Sequence, residues 1–69
     1  MNPNYHKYWK NKGDALENLE RYEEAIAAYE KAIEIQPDYY YTWDSKGIAL
    51  INLERYEEAI AAYEKAIEI

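Results

Sequence analysis

The residues of this chain that are most able to do chemistry are carboxylates. Glutamates recur four residues apart, a spacing that places both side chains on one face of a helix; the pairs are Glu20/Glu24, Glu30/Glu34, Glu54/Glu58 and Glu64/Glu68. Such a pair could hold a hard cation, but calcium takes about six to eight converging oxygens. General acid–base catalysis would need burial to raise the pKa of a carboxylate, and these glutamates fall on polar faces. We interpret the pairs as a solvated acidic face and predict no metal site.

A nucleophilic active site is not indicated either. The chain has no cysteine, and His6, Ser45 and Thr42 are each the single residue of their type. Disulfides, thiolate zinc sites and cysteine nucleophiles are thereby excluded, and no Ser–His–carboxylate set can be assembled. The two glycines, Gly13 and Gly47, fall within helical patterns and form no phosphate-binding loop. We expect no enzyme activity and no cofactor.

Length and charge narrow the class of partner. The 69 residues carry a net charge of −6, whereas nucleic-acid affinity comes largely from clustered Lys and Arg. The nine Tyr and two Trp could stack on bases, but aromatic residues at helical spacing favour a protein core. No apolar run approaches the roughly 20 residues of a membrane span, and the first residues lack the apolar core of a signal peptide. We predict a soluble, cytoplasmic protein that binds neither nucleic acid nor membranes.

One segment of this sequence occurs twice. The letters NLERYEEAIAAYEKAIEI occupy residues 18–35 and again residues 52–69, a period of 34 residues. Aligning residues 6–35 with 40–69 gives 23 identities in 30 positions without a gap. The seven differences lie at positions 6, 7, 8, 10, 11, 14 and 17 of the first copy. A fixed period of this length is typical of stacked structural repeats.

Each repeat has the pattern of two amphipathic helices. In the second half, apolar residues recur at i, i+4, i+7 and i+11 from Tyr22, with charged residues on the opposite face. The patterns predict helices over residues 5–18, 22–35, 39–52 and 56–69. Turns of three residues force neighbouring helices to run antiparallel. Pro37 separates the two repeats, so that Gln36 is expected to end one helix and Asp38 to cap the next.

The two glycines predict a close approach between helices. Gly13 and its counterpart Gly47 fall on the apolar face of the first helix of each repeat. A glycine has no Cβ, so its backbone can lie against a neighbouring helix. We expect Gly13 to face Ala25 and Gly47 to face Ala59.

The whole repeat resembles the tetratricopeptide repeat. Each unit carries W-x-x-K-G-x-A-L followed by Y-E-E-A-I-A-A-Y-E-K-A-I-E-I, and Q-P-D follows the first. The family's signature positions are occupied by Trp9/Trp43, Gly13/Gly47, Ala25/Ala59, Tyr29/Tyr63, Ala32/Ala66 and Pro37. The resemblance implies an all-α fold: two helix–turn–helix hairpins, or four antiparallel helices, stacked as a short right-handed superhelical solenoid. Lys12 and Lys46 depart from a frequent Leu, and Glu20 and Glu54 from a frequent Gly whose left-handed conformation would strain another residue.

The limits of the chain are interpreted from the same alignment. Residues 2–5 (NPNY) correspond to the seam between repeats at residues 36–39 (QPDY). We predict a single domain over residues 1–69, with repeat 1 at about 5–38 and repeat 2 at about 39–69. Repeat 2 stops before its closing proline and has no polar capping helix. This form fits a piece excised from a longer array or a designed minimal repeat, and a naturally complete protein is the alternative.

The resemblance also implies a binding surface. In tetratricopeptide arrays, one sector of the first helices lines a concave groove that holds extended peptides or partner helices. Here that sector contains Lys7, Lys10, Asn11, Asp14, Glu17, Asn18, Tyr41, Asp44, Ser45, Ile48, Ile51 and Asn52. Five of the seven differences between repeats fall in it, while the exposed residues of the second helices are unchanged. This favours a varied binding surface over free drift, and we expect a protein or peptide partner with acidic and apolar side chains.

A second feature of the groove separates this chain from some family members. Those proteins grip the C-terminal carboxylate of a peptide with Lys and Asn residues spread over three repeats. Lys10 sits on one such position, but Asp14 and Ser45 stand where the family has Asn, and a third repeat is absent. We expect that this carboxylate-binding site is not formed.

The last helix predicts a second kind of contact. No following helix would cover its apolar face, so parts of five side chains should be exposed: Tyr56, Ile60, Tyr63, Ile67 and Ile69. Helix 5–18 of a second copy could dock there as helix 39–52 docks on helix 22–35. Such head-to-tail contacts build open stacks, and a closed or helix-swapped dimer is the competing arrangement. The alternative function is therefore a structural, self-assembling unit that forms a weak homo-oligomer.

Overall fold

The computed structural model describes residues 5–69, which form four α-helices and no strand. The helices are α1 (Tyr5–Asn18), α2 (Tyr22–Ile35), α3 (Tyr40–Asn52) and α4 (Tyr56–Glu68). The all-α class is confirmed, and the predicted helix boundaries differ from these by one residue at most. α1 with α2 and α3 with α4 form two hairpins, and α2 packs against α3, so the hairpins stack as a short solenoid. Residues 2–4, interpreted above as part of a preceding seam, lie outside the described residues.

The turn inside each hairpin is closed by backbone hydrogen bonds around a residue in the left-handed conformation. In the first hairpin this residue is Glu20, with φ of 60°. The Arg21 N–H donates to the Leu16 carbonyl at 2.9 Å, and the Glu20 N–H donates to the Glu17 carbonyl at 2.8 Å. The second hairpin repeats this pattern around Glu54. Helices usually end in this way with glycine at the left-handed position, so both glutamates hold the strained conformation that the sequence predicts.

The link between α2 and α3 differs from its prediction. The expectation that Asp38 caps α3 is wrong, because the residue before the helix is Tyr39, which is extended and supplies no side-chain cap. The Asp38 carboxylate instead accepts a hydrogen bond from the Gln36 side-chain amide. The Trp43 indole Nε1 donates to the Pro37 carbonyl at 2.8 Å. An aromatic side chain of α3 therefore holds this turn, and Gln36 ends α2 as expected.

The core lies along α2. Its buried residues are Ala25, Ile26, Ala28, Tyr29 and Ala32. α3 contributes the buried Ala49 and Leu50, and α4 adds Ala59 and Ala62. Alanines dominate this set, and small side chains allow helices to lie close together. α2 is consequently the central helix, with α1 on one side and α3 on the other.

Each helical glycine accommodates a tyrosine ring. A Cβ built at Gly13 would lie 2.5 Å from Tyr29 Cε1, and one built at Gly47 would lie 2.9 Å from Tyr63 Cε1. The predicted close approach is correct, and the atoms nearest to each glycine belong to a tyrosine ring rather than to the expected alanine. The second helix projects a tyrosine ring, and not a stretch of bare backbone, into the space that the missing Cβ leaves.

The two lysines that depart from the family pattern lie over tryptophan rings. Lys12 Nζ is 5.0 Å from the centre of the Trp9 ring, and Lys46 Nζ is 5.5 Å from that of Trp43. Such cation–π contacts contribute about 0.5–1 kcal/mol at exposed sites. Lys46 Nζ also lies 3.4 Å from a carboxylate oxygen of Glu30 on α2. Each lysine thus lies over an aromatic ring, and Lys46 in addition pairs with a carboxylate of the neighbouring helix.

Replacing the left-handed glutamates tests the strain in the turns. Glu20→Gly and Glu54→Gly are each expected to raise the free energy of unfolding by about 0.5–1 kcal/mol, because glycine adopts positive φ without a Cβ clash but loses more freedom on folding. The measurement is urea denaturation followed by circular dichroism. Glu64→Gly, at an exposed position inside α4, is the matched control and should lower stability by about 0.5–1 kcal/mol. A loss of stability in all three variants would contradict the strain.

Candidate functional site

The structure places the twelve predicted groove residues along α1 and α3 and buries none of them. Eight are exposed: Lys7, Asn11, Asn18, Tyr41, Asp44, Ile48, Ile51 and Asn52. Four are half-buried: Lys10, Asp14, Glu17 and Ser45. α1 contacts α3 as well as α2, so the two halves of the set lie on neighbouring helices. We call these twelve residues the groove.

A buried tyrosine of α2 meets two groove carboxylates. The Tyr29 hydroxyl lies 2.7 Å from Asp14 Oδ1 and 3.0 Å from Glu17 Oε1, and it donates its single proton to one of them at a time. Lys10 Nζ lies 2.9 Å from Asp14 Oδ2. Burial raises the pKa of Tyr29, and hydrogen bonding and charge from both carboxylates raise it further. Tyr29 is therefore a fixed neutral donor that links α2 to the groove side of α1.

The second repeat replaces this polar contact with apolar groups. Asp14 and Glu17 correspond to Ile48 and Ile51, so the tyrosine of α4, Tyr63, has no carboxylate at these two positions. Burial raises the pKa of Tyr63, and the charges of Asp44 on α3 and Glu17 on α1 add to the rise. Carboxylates from both first helices therefore act on this one hydroxyl group.

The groove consequently has two chemically different halves. Among the groove residues of α3, three are large, apolar and exposed: Tyr41, Ile48 and Ile51. Their spacing of seven and three residues places them on one side of the helix. The corresponding residues of α1 are Lys7, Asp14 and Glu17. The sequence alignment reveals this contrast, but the anchoring of the polar half by Tyr29 follows only from the structure.

α2 and α4 show how a covering helix changes the exposure of side chains in the same sequence. Residues 22–35 and 56–69 have the same letters, yet Ile26 is 5% exposed and its counterpart Ile60 is 57% exposed. The five residues predicted to be uncovered are exposed, except Tyr63, which is half-buried: Tyr56, Ile60, Tyr63, Ile67 and Ile69. We call them the outer face of α4. α3 lies on the matching face of α2, and no helix within residues 5–69 lies on this one.

The first helices show the complementary contrast. Ala49 and Thr42 are completely buried on α3, where it packs between α2 and α4. Their counterparts on α1 are Ala15 and Tyr8, and both are exposed. Leu19, which follows the last residue of α1, is also exposed. α1 thus presents to solvent a version of the surface that α3 buries.

Comparison with known families decides what this architecture is. A family model described as tetratricopeptide repeat matches residues 6–39 and again residues 41–69. The chain belongs to the tetratricopeptide repeat family. Both hairpins are covered by the match, and proteins built from tetratricopeptide repeats generally serve as protein–protein interaction modules. No curated protein matches the chain.

One glutamate of each predicted acidic pair lies close to a basic side chain. Arg21 Nε lies 2.6 Å from a Glu24 carboxylate oxygen, and Arg55 bonds Glu58 in the same way. The hydrogen bond from Arg21 lowers the pKa of Glu24. Among residues 5–69, no three acidic or histidine side chains converge as metal ligands. In the same range, no tetratricopeptide helix is long and apolar enough to cross a membrane.

Removing one hydroxyl tests the Tyr29 contact. Tyr29→Phe removes a hydrogen-bond donor from two half-buried carboxylates, of which Asp14 keeps Lys10, and is expected to lower the free energy of unfolding by about 1 kcal/mol. Tyr63→Phe is the matched control in an otherwise identical helix and should change stability by less than about 0.5 kcal/mol. Urea denaturation of both variants gives the difference. Equal losses would show that the Asp14 and Glu17 contacts contribute nothing.

Proposed function

We propose that this tetratricopeptide protein binds a peptide or helix of a partner protein in the concave groove between α1 and α3. The observation that carries the proposal is the exposure of Tyr41, Ile48 and Ile51 on one side of α3. Exposed apolar side chains that are clustered mark contact sites more often than single ones do. They occur where the two repeats differ, whereas the framework residues around them are duplicated.

The charges around the groove indicate the chemistry of the partner. Lys10 is held by Asp14, and Lys7 lies over the Tyr39 ring, so the two groove lysines are already engaged. Asp44 is exposed, and Glu17 is half-exposed. The net charge of −6 further favours approach by a cationic segment. The pairing of Lys10 shifts the expected partner from an acidic one to a segment with basic and apolar side chains.

A peptide-library pull-down tests the groove. Ile48→Asp is expected to remove most bound peptides, because it places a charge in the apolar half. Asp44→Lys is expected to remove those rich in Lys and Arg while sparing neutral apolar ones. Glu34→Lys makes the same charge change on an exposed position of α2 outside the groove and should leave the bound set unchanged. Retention of the same peptides by Ile48→Asp would place binding elsewhere on the protein.

The outer face of α4 supports a second function, self-association. Its sequence is the one that α3 covers on α2, so the chain itself contains a helix of the kind that fits this face. Covering each exposed isoleucine or tyrosine contributes about 1.5–3 kcal/mol, but association costs on the order of 4–15 kcal/mol. The balance predicts a weak homo-oligomer. Docking of α1 from a second copy extends the stack, whereas face-to-face docking of two α4 helices closes a dimer.

Light scattering from micromolar to millimolar concentration tests self-association. The average mass is expected to rise with concentration. Ile60→Glu should weaken association at least about tenfold, because it exchanges a buried apolar group for a charge. Ile48→Asp, also a change from isoleucine to an acid at an exposed position, is the control and should leave the mass curve unchanged. A chain that remains monomeric at millimolar concentration would contradict this function.

A further inference from the structure

The start of α3 shows where an aromatic side chain sits against the first hairpin. The Tyr39 ring meets the His6 ring edge-on, with ring centres 4.9 Å apart. Lys7 Nζ lies 5.8 Å from the centre of the same tyrosine ring. His6 is buried on α1, and Tyr29 and Ala32 are buried on α2 of the same hairpin. Tyr39 therefore lies against the start of α1, at His6 and Lys7.

In the second hairpin, the residues that correspond to His6 and Lys7 are Tyr40 and Tyr41, and they line an open cleft. It has a volume of about 540 Å³ and is lined by Tyr40, Tyr41, Asp44, Tyr63, Ala66 and Ile67. Tyr40 is exposed although its counterpart His6 is buried, and Ile67 is 84% exposed. No residue of the described chain occupies in this cleft the position that Tyr39 has against the first hairpin. The residue 34 positions before Tyr39 is Tyr5, and its side chain is exposed.

We propose that this cleft receives the Tyr5 side chain of a second copy of the chain. The proposal rests on the self-association described above and adds its orientation and contact residue. With Tyr5 seated there, α1 of the second copy lies on the outer face of α4 in the direction that α3 has on α2. Tyrosine rings in the cleft supply the edge and face contacts that aromatic pairs prefer. The Asp44 carboxylate can accept a hydrogen bond from the Tyr5 hydroxyl.

One residue of α1 opposes this arrangement. Thr42 is completely buried within the chain, whereas its counterpart Tyr8 is 56% exposed. A tyrosine at a site shaped for a threonine overpacks the contact. Tyr8 therefore limits the strength of the stack, and Tyr8→Thr restores the residue that α3 uses at this point.

Sedimentation equilibrium on the intact chain tests the contact. Tyr5→Ala is expected to weaken association about tenfold, and Tyr5→Phe less than about threefold, because the ring remains. Tyr8→Thr is expected to tighten association about tenfold. Ile51→Ala is the matched control, since Ile51 and Tyr5 are 42% and 43% exposed, and it should leave association unchanged. Equal effects of Tyr5→Ala and Ile51→Ala would overturn the proposal.

Cross-linking tests the orientation separately. The chain has no cysteine of its own. A short bifunctional thiol reagent therefore links a Tyr5→Cys chain only to another Tyr5→Cys chain or to a second variant that carries an introduced cysteine. At millimolar concentration, a mixed dimer is expected with a Tyr40→Cys chain and not with a Glu57→Cys chain, whose position lies at the other end of α4. Preferential linkage to position 57 would indicate reversed docking and overturn the proposal while self-association stands. A chain that is monomeric throughout would overturn both.

Discussion

The width of the apolar face on the second helix of each repeat is the constraint on which the rest of the structure depends. A helix with such a face needs neighbours on two sides to remove its apolar surface from water. α2 has them, since α1 and α3 both pack against it. α4 carries the same residues and packs against α3. Within residues 5–69, the apolar face of α4 therefore has one covering helix where that of α2 has two.

The same constraint explains why the groove can vary while the frame is constant. Residues that contact α2 or α4 are tied to a tightly packed interior, where a change of even one methylene is felt. Groove residues face away from that interior, and in the second repeat Ile48 and Ile51 replace Asp14 and Glu17 without any change in the helix beneath. The exception is the Tyr29 hydroxyl, which extends from α2 to the groove residues Asp14 and Glu17 of α1. Through it, the polar half of the groove also holds α1 on α2.

Features that depend on residues close together in sequence were predicted more successfully than contacts between distant residues. The helices, the left-handed turn at Glu20 and the end of α2 at Gln36 depend on residues within one or two turns of each other, and these predictions were confirmed. The hydrogen bond from Tyr29 to Asp14 joins residues 15 positions apart and was missed. Asp38 was wrongly expected to cap α3: the helix begins after Tyr39, and the Asp38 carboxylate accepts a hydrogen bond from the Gln36 amide. Propensity rules describe which partners a side chain prefers, but packing decides which partner is in reach.

The repeat period, the four helices and the family follow from the type and spacing of residues along the chain. Packing between α1 and α2 determines that Gly13 makes room for a tyrosine ring and that the Tyr29 hydroxyl reaches Asp14 and Glu17. Packing also determines how far the side chains of two helices with the same sequence are exposed. Ile26 and Ile60 have the same neighbours in sequence, and no local rule can distinguish them; one is buried because α3 lies on it.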